Sequence, residues 1–168
     1  MDLVAKAARF IYLNKVAFNG MYRVNLDGKF NVPFGNRRAK IYDPANLRAV
    51  GNALRRAQII AQSYEATLAD ARHTDFIYLD PPYHPVSATA SFTKYTSPPF
   101  GETAQVQLAT EFRRLTALGC KVALSNSDTE FVKSLYEGFS QMPLSSRRYI
   151  NANGNGRGPI TELLILNY

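Results

Sequence analysis

The 168-residue chain has one cysteine, two histidines and no tryptophan. A lone thiol, Cys120, excludes an internal disulfide framework and a cysteine-rich zinc site. His73 and His84 have no ligand partners at metal spacing, so no metal is expected and both read as surface residues. No apolar run nears the roughly 20 residues that a bilayer crossing needs, which argues against a membrane partner. With one cysteine and no signal-peptide pattern, a cytoplasmic setting is expected. Acidic residues are scarce in one place only. Residues 1–56 carry 11 Lys and Arg against 3 Asp and Glu, a net of +8, whereas residues 57–168 carry 9 against 10, a net of −1. The whole excess behind the overall +7 therefore lies in the first third. Such asymmetry suits a polyanion-facing part joined to a neutral part with other work to do, although a basic surface can also serve solubility alone.

What is present is ordinary globular material, and a chain of this length can bury roughly 70% of its unfolded surface. Residues 5–18 place Ala8, Ile11, Tyr12 and Val16 at helical spacing, and Gly20 ends the pattern. Polarity then alternates on both sides of Asp27-Gly28, a hairpin signal because both residues tolerate φ > 0; strands are expected at 21–25 and 29–32. Asp43-Pro44 opens a helix through about residue 56, Asp43 as its cap. In the neutral part, short strands are expected at 58–62, 75–79 and 121–125, with helices at 103–118 (stopped by Gly119) and 129–136. Two last strands, near 147–150 and 160–167, flank an Asn/Gly-rich loop. The order predicts an α/β fold with a mainly parallel sheet and an antiparallel edge. Gly154, Gly156 and Gly158 mimic a phosphate loop, but they lie between strands and open no helix.

The chemically informative segment is Asp80-Pro81-Pro82-Tyr83. An acid at the carboxyl end of a buried strand stands where open α/β sheets bind ligands. Two prolines cannot continue a ladder, so they fix a rigid turn behind it. The Asp80 carboxylate and the Pro81 carbonyl are two acceptors, and Tyr83 offers a ring for stacking. An exocyclic amino group on a flat base matches that set. A proline turn that merely ends a strand is the bland alternative, and the tetrapeptide is too short to decide alone.

Longer ordered matches add to it. They run from Leu13-Asn14-Lys15 and Phe18-Asn19-Gly20-Met21-Tyr22-Arg23 through Asn25 and Phe30-Asn31-Val32-Pro33-Phe34-Gly35. They continue through Ser63-Tyr64, Asp80-Pro81-Pro82-Tyr83, Ser87-Ala88-Thr89-Ala90-Ser91-Phe92-Thr93, Leu124-Ser125-Asn126 and Glu162-Leu163-Leu164. With these residues the chain resembles the Dam-like, D12-class (alpha group) adenine-N6 DNA methyltransferases. The resemblance implies part of a Rossmann-like, class I methyltransferase sheet at 57–168, preceded at 1–56 by a small helical target-recognition module with a β-hairpin. It implies S-adenosylmethionine as methyl donor, no metal, and double-stranded DNA as partner. Asp80, Pro81, Pro82 and Tyr83 would hold a flipped adenine whose N6 attacks the methyl group. Asp80, Tyr64 and Glu65 would contact the donor, although Ser63-Tyr64-Glu65 also reads as a strand-end polar cluster making turn bonds. Phe18, Asn19, Met21, Arg23 and Pro33 would contact DNA. Asn19 would replace lost stacking and Arg23 would read a guanine, with Met21 and Pro33 against a thymine methyl. The implied target is GATC-like, with Met21 where leucine is expected and Asn36 where a basic residue is usual. A phosphate contact is the more frequent fate of an interfacial arginine, so that alternative stands for Arg23. Residues 87–95 resemble a loop closing over the pocket.

One family feature has no counterpart. No Phe-x-Gly-x-Gly-like donor-binding loop precedes the hairpin region, so the chain resembles the carboxyl two-thirds of the enzyme without its N-terminal cofactor-binding segment. The expectation is that this chain alone binds S-adenosylmethionine weakly and transfers little, an N-terminal complementing segment being the implied partner. The alternatives are a non-catalytic DNA-binding remnant or one half of a split methyltransferase. Methylation of RNA or protein fits the tetrapeptide but not the hairpin.

Overall fold

Two compact units, Met1–Ala61 and Gln62–Tyr168, make up the chain. The computed structural model describes residues 2–25, 27–35, 41–86, 100–147 and 159–168. Asn36, the pocket-closing loop expected at 87–95, the strand residues expected at 148–150 and the Asn/Gly loop at 151–158 lie outside that set.

In the first unit, the Asp2 carboxylate accepts from the Ala5 N–H at 2.7 Å and so starts helix α1 at Leu3–Val16, earlier than the apolar spacing suggests. A 3-10 turn, Phe18–Gly20, follows, with Asn19 at φ 54° and Gly20 at φ 68°, both left-handed. Asn and Gly are the residues that tolerate this backbone, so the chain reverses here. The returning segment forms a hairpin with Val24 opposite Phe30 and Ala17 opposite Phe34, isolated bridges in place of full strands. Its turn differs from the one Asp27-Gly28 suggests: only Gly28, at φ 72°, is left-handed. Asn25 organises the turn. Its carbonyl accepts from the Gly28 N–H at 2.9 Å, and its side-chain oxygen accepts from Asp27 and Lys29. Phe10, Tyr22 and Phe30 join helix to hairpin through ring contacts at 4.8 and 5.4 Å. Gly35 closes the loop against the helix end, where a Cβ would sit 2.8 Å from the Ala17 carbonyl oxygen. Helix α2, Pro44–Leu54, is capped by Asp43, which accepts from Ala45 and Asn46. The strand expected at 58–62 does not form. Ile59 and Ile60 stay exposed, and no described segment lies beside them to complete a ladder.

In the second unit, Ser63 caps a short helix α3, Tyr64–Leu68, so Ser63-Tyr64-Glu65 begins a helix where a strand end was expected. Then come β1 (Phe76–Leu79), α4 (Glu102–Leu118), β2 (Lys121–Ser127), α5 (Glu130–Leu135), β3 (Ser140–Arg147) and β4 (Pro159–Leu166). Sheet order is β1-β2-β4-β3. Only β1 and β2 are parallel; β2–β4 and β4–β3 are antiparallel. The expected mainly parallel sheet is thus a mixed one among the described residues. The cause is topological: the closing hairpin inserts β4 between β2 and β3. β3 also begins earlier than the sequence suggests. Pro143 breaks the strand pattern, yet β3 is an edge strand in the described sheet and an edge tolerates a missing N–H. Gly119, at φ 88°, ends α4 with a pair of closing bonds: its N–H to the Thr116 carbonyl and the Cys120 N–H to the Leu115 carbonyl.

The core packs α4 and α5 on the sheet through Leu108, Phe112, Leu115, Leu124, Val132 and Ile165. Phe112 touches the Tyr136 and Phe139 rings at 5.2 and 4.9 Å. The Tyr136 hydroxyl is buried without a hydrogen-bond partner among the described residues, and that burial pushes its pKa far above the ordinary 10.0. A raised phenol stays neutral in the folded chain while the unfolded chain ionises at the ordinary value. The stability it leaves intact below that value is lost as pH rises above it, by up to about 1.4 kcal/mol per pH unit. Tyr136→Phe should therefore cost little near neutrality, because it removes an unpaired hydroxyl. It should also flatten the alkaline fall, as read by urea unfolding across that range.

Candidate active site

The parallel register pairs Leu79 with Leu124, so the residues that follow, Asp80 and Ser125, stand side by side at the carboxyl ends of β1 and β2. Ser125 Oγ donates to Asp80 Oδ1 at 2.8 Å. With that hydrogen committed, the 2.9 Å contact between the Ser125 and Tyr78 hydroxyls has Tyr78 as donor. The Tyr83 phenol is raised above 10.0 chiefly by burial, with Ser125 opposing. One small hydroxyl thus joins Asp80 and Tyr78. Neither Asp80 Oδ2 nor the Pro81 carbonyl takes a hydrogen bond among the described residues.

The turn behind Asp80 is fastened by buried amides. Gln105, on α4, donates to the Pro82 carbonyl at 2.8 Å, and Asn126 donates to Gln105 Oε1 at 3.0 Å. Asn126 Oδ1 accepts from the His84 and Ser127 N–H groups. Both amides are essentially inaccessible, so each bond is made away from competing water. His84 is no surface histidine: its ring stacks on Phe131 at 4.7 Å and Nδ1 lies 3.2 Å from the Thr129 hydroxyl. The α5 cap holds it there. His73 is exposed, as read, and no group of His, Cys, Asp or Glu among the described residues could hold a metal.

In front of Asp80 opens a cleft of about 600 Å³, whose walls include Gln62, Tyr64, Tyr78, Pro81 and Phe100. Tyr64 meets Phe100 edge-on at 6.4 Å, and burial followed by the Glu65 charge pushes its phenol up to about 12. Glu65 is not in this cleft. It lines an adjoining one with Gln107, Thr110, Glu111 and the other side of Tyr64, its carboxyl held below the usual range by its own backbone N–H. Of the residues expected to contact a donor, Asp80 and Tyr64 are brought together and Glu65 is not.

In the first unit, Phe18, Asn19, Met21, Arg23 and Pro33 fall on the helix-to-hairpin turn and the hairpin it opens. The Phe18 N–H bonds the Pro33 carbonyl at 2.9 Å, and the side chains of Phe18, Arg23 and Pro33 are exposed. Arg23 reaches across the hairpin to Asn31. Ser125, Tyr78, Gln105, Phe100 and Asn31 carry no role in the sequence reading. A signal existed for one of them: Ser125, like Asn126 after it, is a polar residue ending an apolar strand, at the position where Asp80 ends its own.

A family model for the D12 class N6 adenine-specific DNA methyltransferases matches residues 1–150. The chain is 42% identical to the type II methyltransferase M.MjaIII of Methanocaldococcus jannaschii, over 99% of this chain and 59% of that protein. It is 37% identical to the type II methyltransferase M1.LlaDCHI of Lactococcus lactis, over 100% of the chain and 60% of the relative. It is 38% identical to a DNA adenine methylase of Vibrio cholerae, over 98% and 60%. The chain therefore spans about 60% of the length of the curated relatives it matches. A family model over residues 1–150 and relatives matched over nearly the whole chain lead to one conclusion: the chain belongs to the D12 class of N6 adenine-specific DNA methyltransferases.

Proposed function

We propose that this chain carries the base-holding and DNA-reading parts of an enzyme that methylates adenine N6 in duplex DNA at a GATC-like site. Residues 1–56 act as the target-recognition module and 57–168 as the carboxyl part of a Rossmann-like catalytic domain. The observation that carries the reading is the pair of open acceptors, Asp80 Oδ2 and the Pro81 carbonyl, at the mouth of a cleft walled by aromatic rings. An adenine amino group has two N–H donors to match them. Drawing both hydrogens toward acceptors concentrates the N6 lone pair, which ring conjugation otherwise disperses. The Asp80 charge offsets the positive charge that grows on N6 during transfer, an electrostatic contribution of the kind that dominates many enzymes. Gln105 and Asn126 keep the turn rigid, so little reorganisation is needed when the base arrives. Tyr83 lies beside the acceptors as a stacking surface for a base taken from the duplex.

The methyl donor suited to this cleft is S-adenosylmethionine, which supplies an electrophilic methyl on a positively charged sulfur. The residues fit it in part. Tyr64 and Phe100 suit an adenosine ring, Gln62 offers amide groups, and Asp80 lies at the mouth with a carboxylate complementary to a cation. The relatives' further length is where we place a complementing donor-binding segment. The +8 excess in residues 1–56 supports contact with a phosphate backbone.

Tritiated methyl transfer to a GATC duplex tests the reading, using the chain alone and the chain joined to the amino-terminal part of the Methanocaldococcus relative. Little transfer is expected from the chain alone. In the joined protein, Asp80→Ala should cut transfer by about 10³-fold or more, the scale of losing a preorganised electrostatic group, while duplex binding stays nearly unchanged. Near-normal turnover by that variant overturns the assignment. Ser125→Ala should give a smaller loss, of about tenfold, expressed in kcat more than in KM. Arg23→Ala should relax preference at a single base pair in duplex-binding measurements, and an equal loss on every sequence would mark a phosphate contact instead.

A further inference from the structure

Arg23 and Asn31 face one another across the hairpin: Val24 opposes Phe30, and the Asn31 N–H donates to the Arg23 carbonyl at 3.1 Å. Their side chains are joined as well. Arg23 Nε donates to Asn31 Oδ1 at 2.9 Å, and Arg23 Nη2 donates to the Asn31 main-chain carbonyl at 3.1 Å. These two bonds use one edge of the guanidinium, the edge formed by Nε and Nη2. The group carries five N–H donors in a planar fork. The end-on edge, one hydrogen of Nη1 and the second of Nη2, takes no partner among the described residues. That end-on edge presents two parallel donors, the arrangement that guanine O6 and N7 accept.

We propose that Asn31 is a positioning residue for sequence reading: it clamps the inner edge of Arg23 so that the outer edge is presented to a base. The proposal rests on the reading of Arg23 as a base contact and adds how a solvent-exposed arginine is made selective. A free arginine has about 2 kcal/mol of rotamer entropy to lose when it docks. Holding the side chain across a hairpin removes part of that loss before the DNA arrives. It also fixes the plane of the fork, and a bidentate contact depends on that plane whereas a contact to a phosphate oxygen does not. Both acceptors are neutral, so the cation keeps its full charge for the partner. One of them is main-chain, so Asn31→Ala removes one bond of two and leaves the backbone pairing that sets the hairpin register.

The test is duplex binding by the 168-residue chain, followed by fluorescence anisotropy. It uses a GATC duplex and one with that G·C pair exchanged for A·T, each across a range of salt. Arg23→Ala should lower the ratio of affinities by about fivefold or more, the scale of a lost bidentate base contact. Asn31→Ala should lower the same ratio by about threefold, leave affinity for the exchanged duplex within about twofold, and leave the salt slope unchanged. Added to Arg23→Ala, it should change the ratio no further, since both residues act through one contact. Asn31→Asp retains the acceptor and should keep the ratio while weakening both duplexes together, which also guards against a misfolded alanine variant. Equal loss on both duplexes from Asn31→Ala, with a shallower salt slope, would make Asn31 a phosphate contact and overturn the proposal. An unchanged ratio would overturn it too. If Arg23→Ala itself leaves the ratio intact, the base-reading role of Arg23 is what fails, and the clamp falls with it.

Discussion

The parallel pairing of β1 with β2 is the constraint on which the second unit depends. It sets Leu79 against Leu124, and the next residue on each strand is polar: Asp80 on one, Ser125 on the other. A shift of one residue would turn Ser125 to the opposite face, because side chains alternate along a strand. The apolar runs hold the register, since Val122 and Leu124 on β2 and Leu79 on β1 are buried in one core with Leu108 and Phe112 of α4. The core therefore does more than stabilise the unit. It sets the distance between a carboxylate and the hydroxyl that orients it.

The two units are built differently, and the difference matches what each is asked to do. In the second, buried amides secure the turn behind Asp80 in a dry environment, where a hydrogen bond is strong and an unmade one is costly. In the first, no residue of α1 or α2 is buried. Helix and hairpin are joined by three aromatic rings and by the tight return of Gly35 against Ala17. A thin scaffold of this kind leaves its side chains accessible to a large, flat partner. It must position them by local bonds, because little core exists to do so.

How far the sequence revealed this architecture depended on the range of each interaction. Asp43 as a cap, Gly119 as a helix stop and the end of the strand before Asp80-Pro81-Pro82 are determined by neighbouring residues, so they could be read directly. The failures are equally physical. Ile59-Ile60 has the composition of a strand, but a strand also needs a partner for its backbone groups. Asp27-Gly28 suggested left-handed backbone at both residues, but only Gly28 adopts it, while Asn25 offers a side-chain acceptor to the Asp27 and Lys29 N–H groups. Pro143 hid the start of β3 because tolerance of proline depends on a strand's place in the sheet. Ser125 with Asp80 and His84 with Thr129 are each 45 residues apart in the chain, joined only once the sheet register is known.

The two charges that matter most are handled alike. Asp80 is oriented by a serine hydroxyl, and Arg23 by an asparagine side chain and a main-chain carbonyl. A lysine beside Asp80 or an aspartate beside Arg23 would hold each group at least as firmly. Either would also cancel much of that charge. Neutral hydrogen-bonding partners avoid that conflict, because they fix direction through geometry while leaving the net charge in place. Each partner also occupies only one side of its group, Oδ1 of the carboxylate and the inner edge of the guanidinium, and among the described residues the other side is unoccupied. The same solution at opposite signs, in units stabilised by different means, makes orientation without neutralisation the common principle of the acidic turn and the basic hairpin.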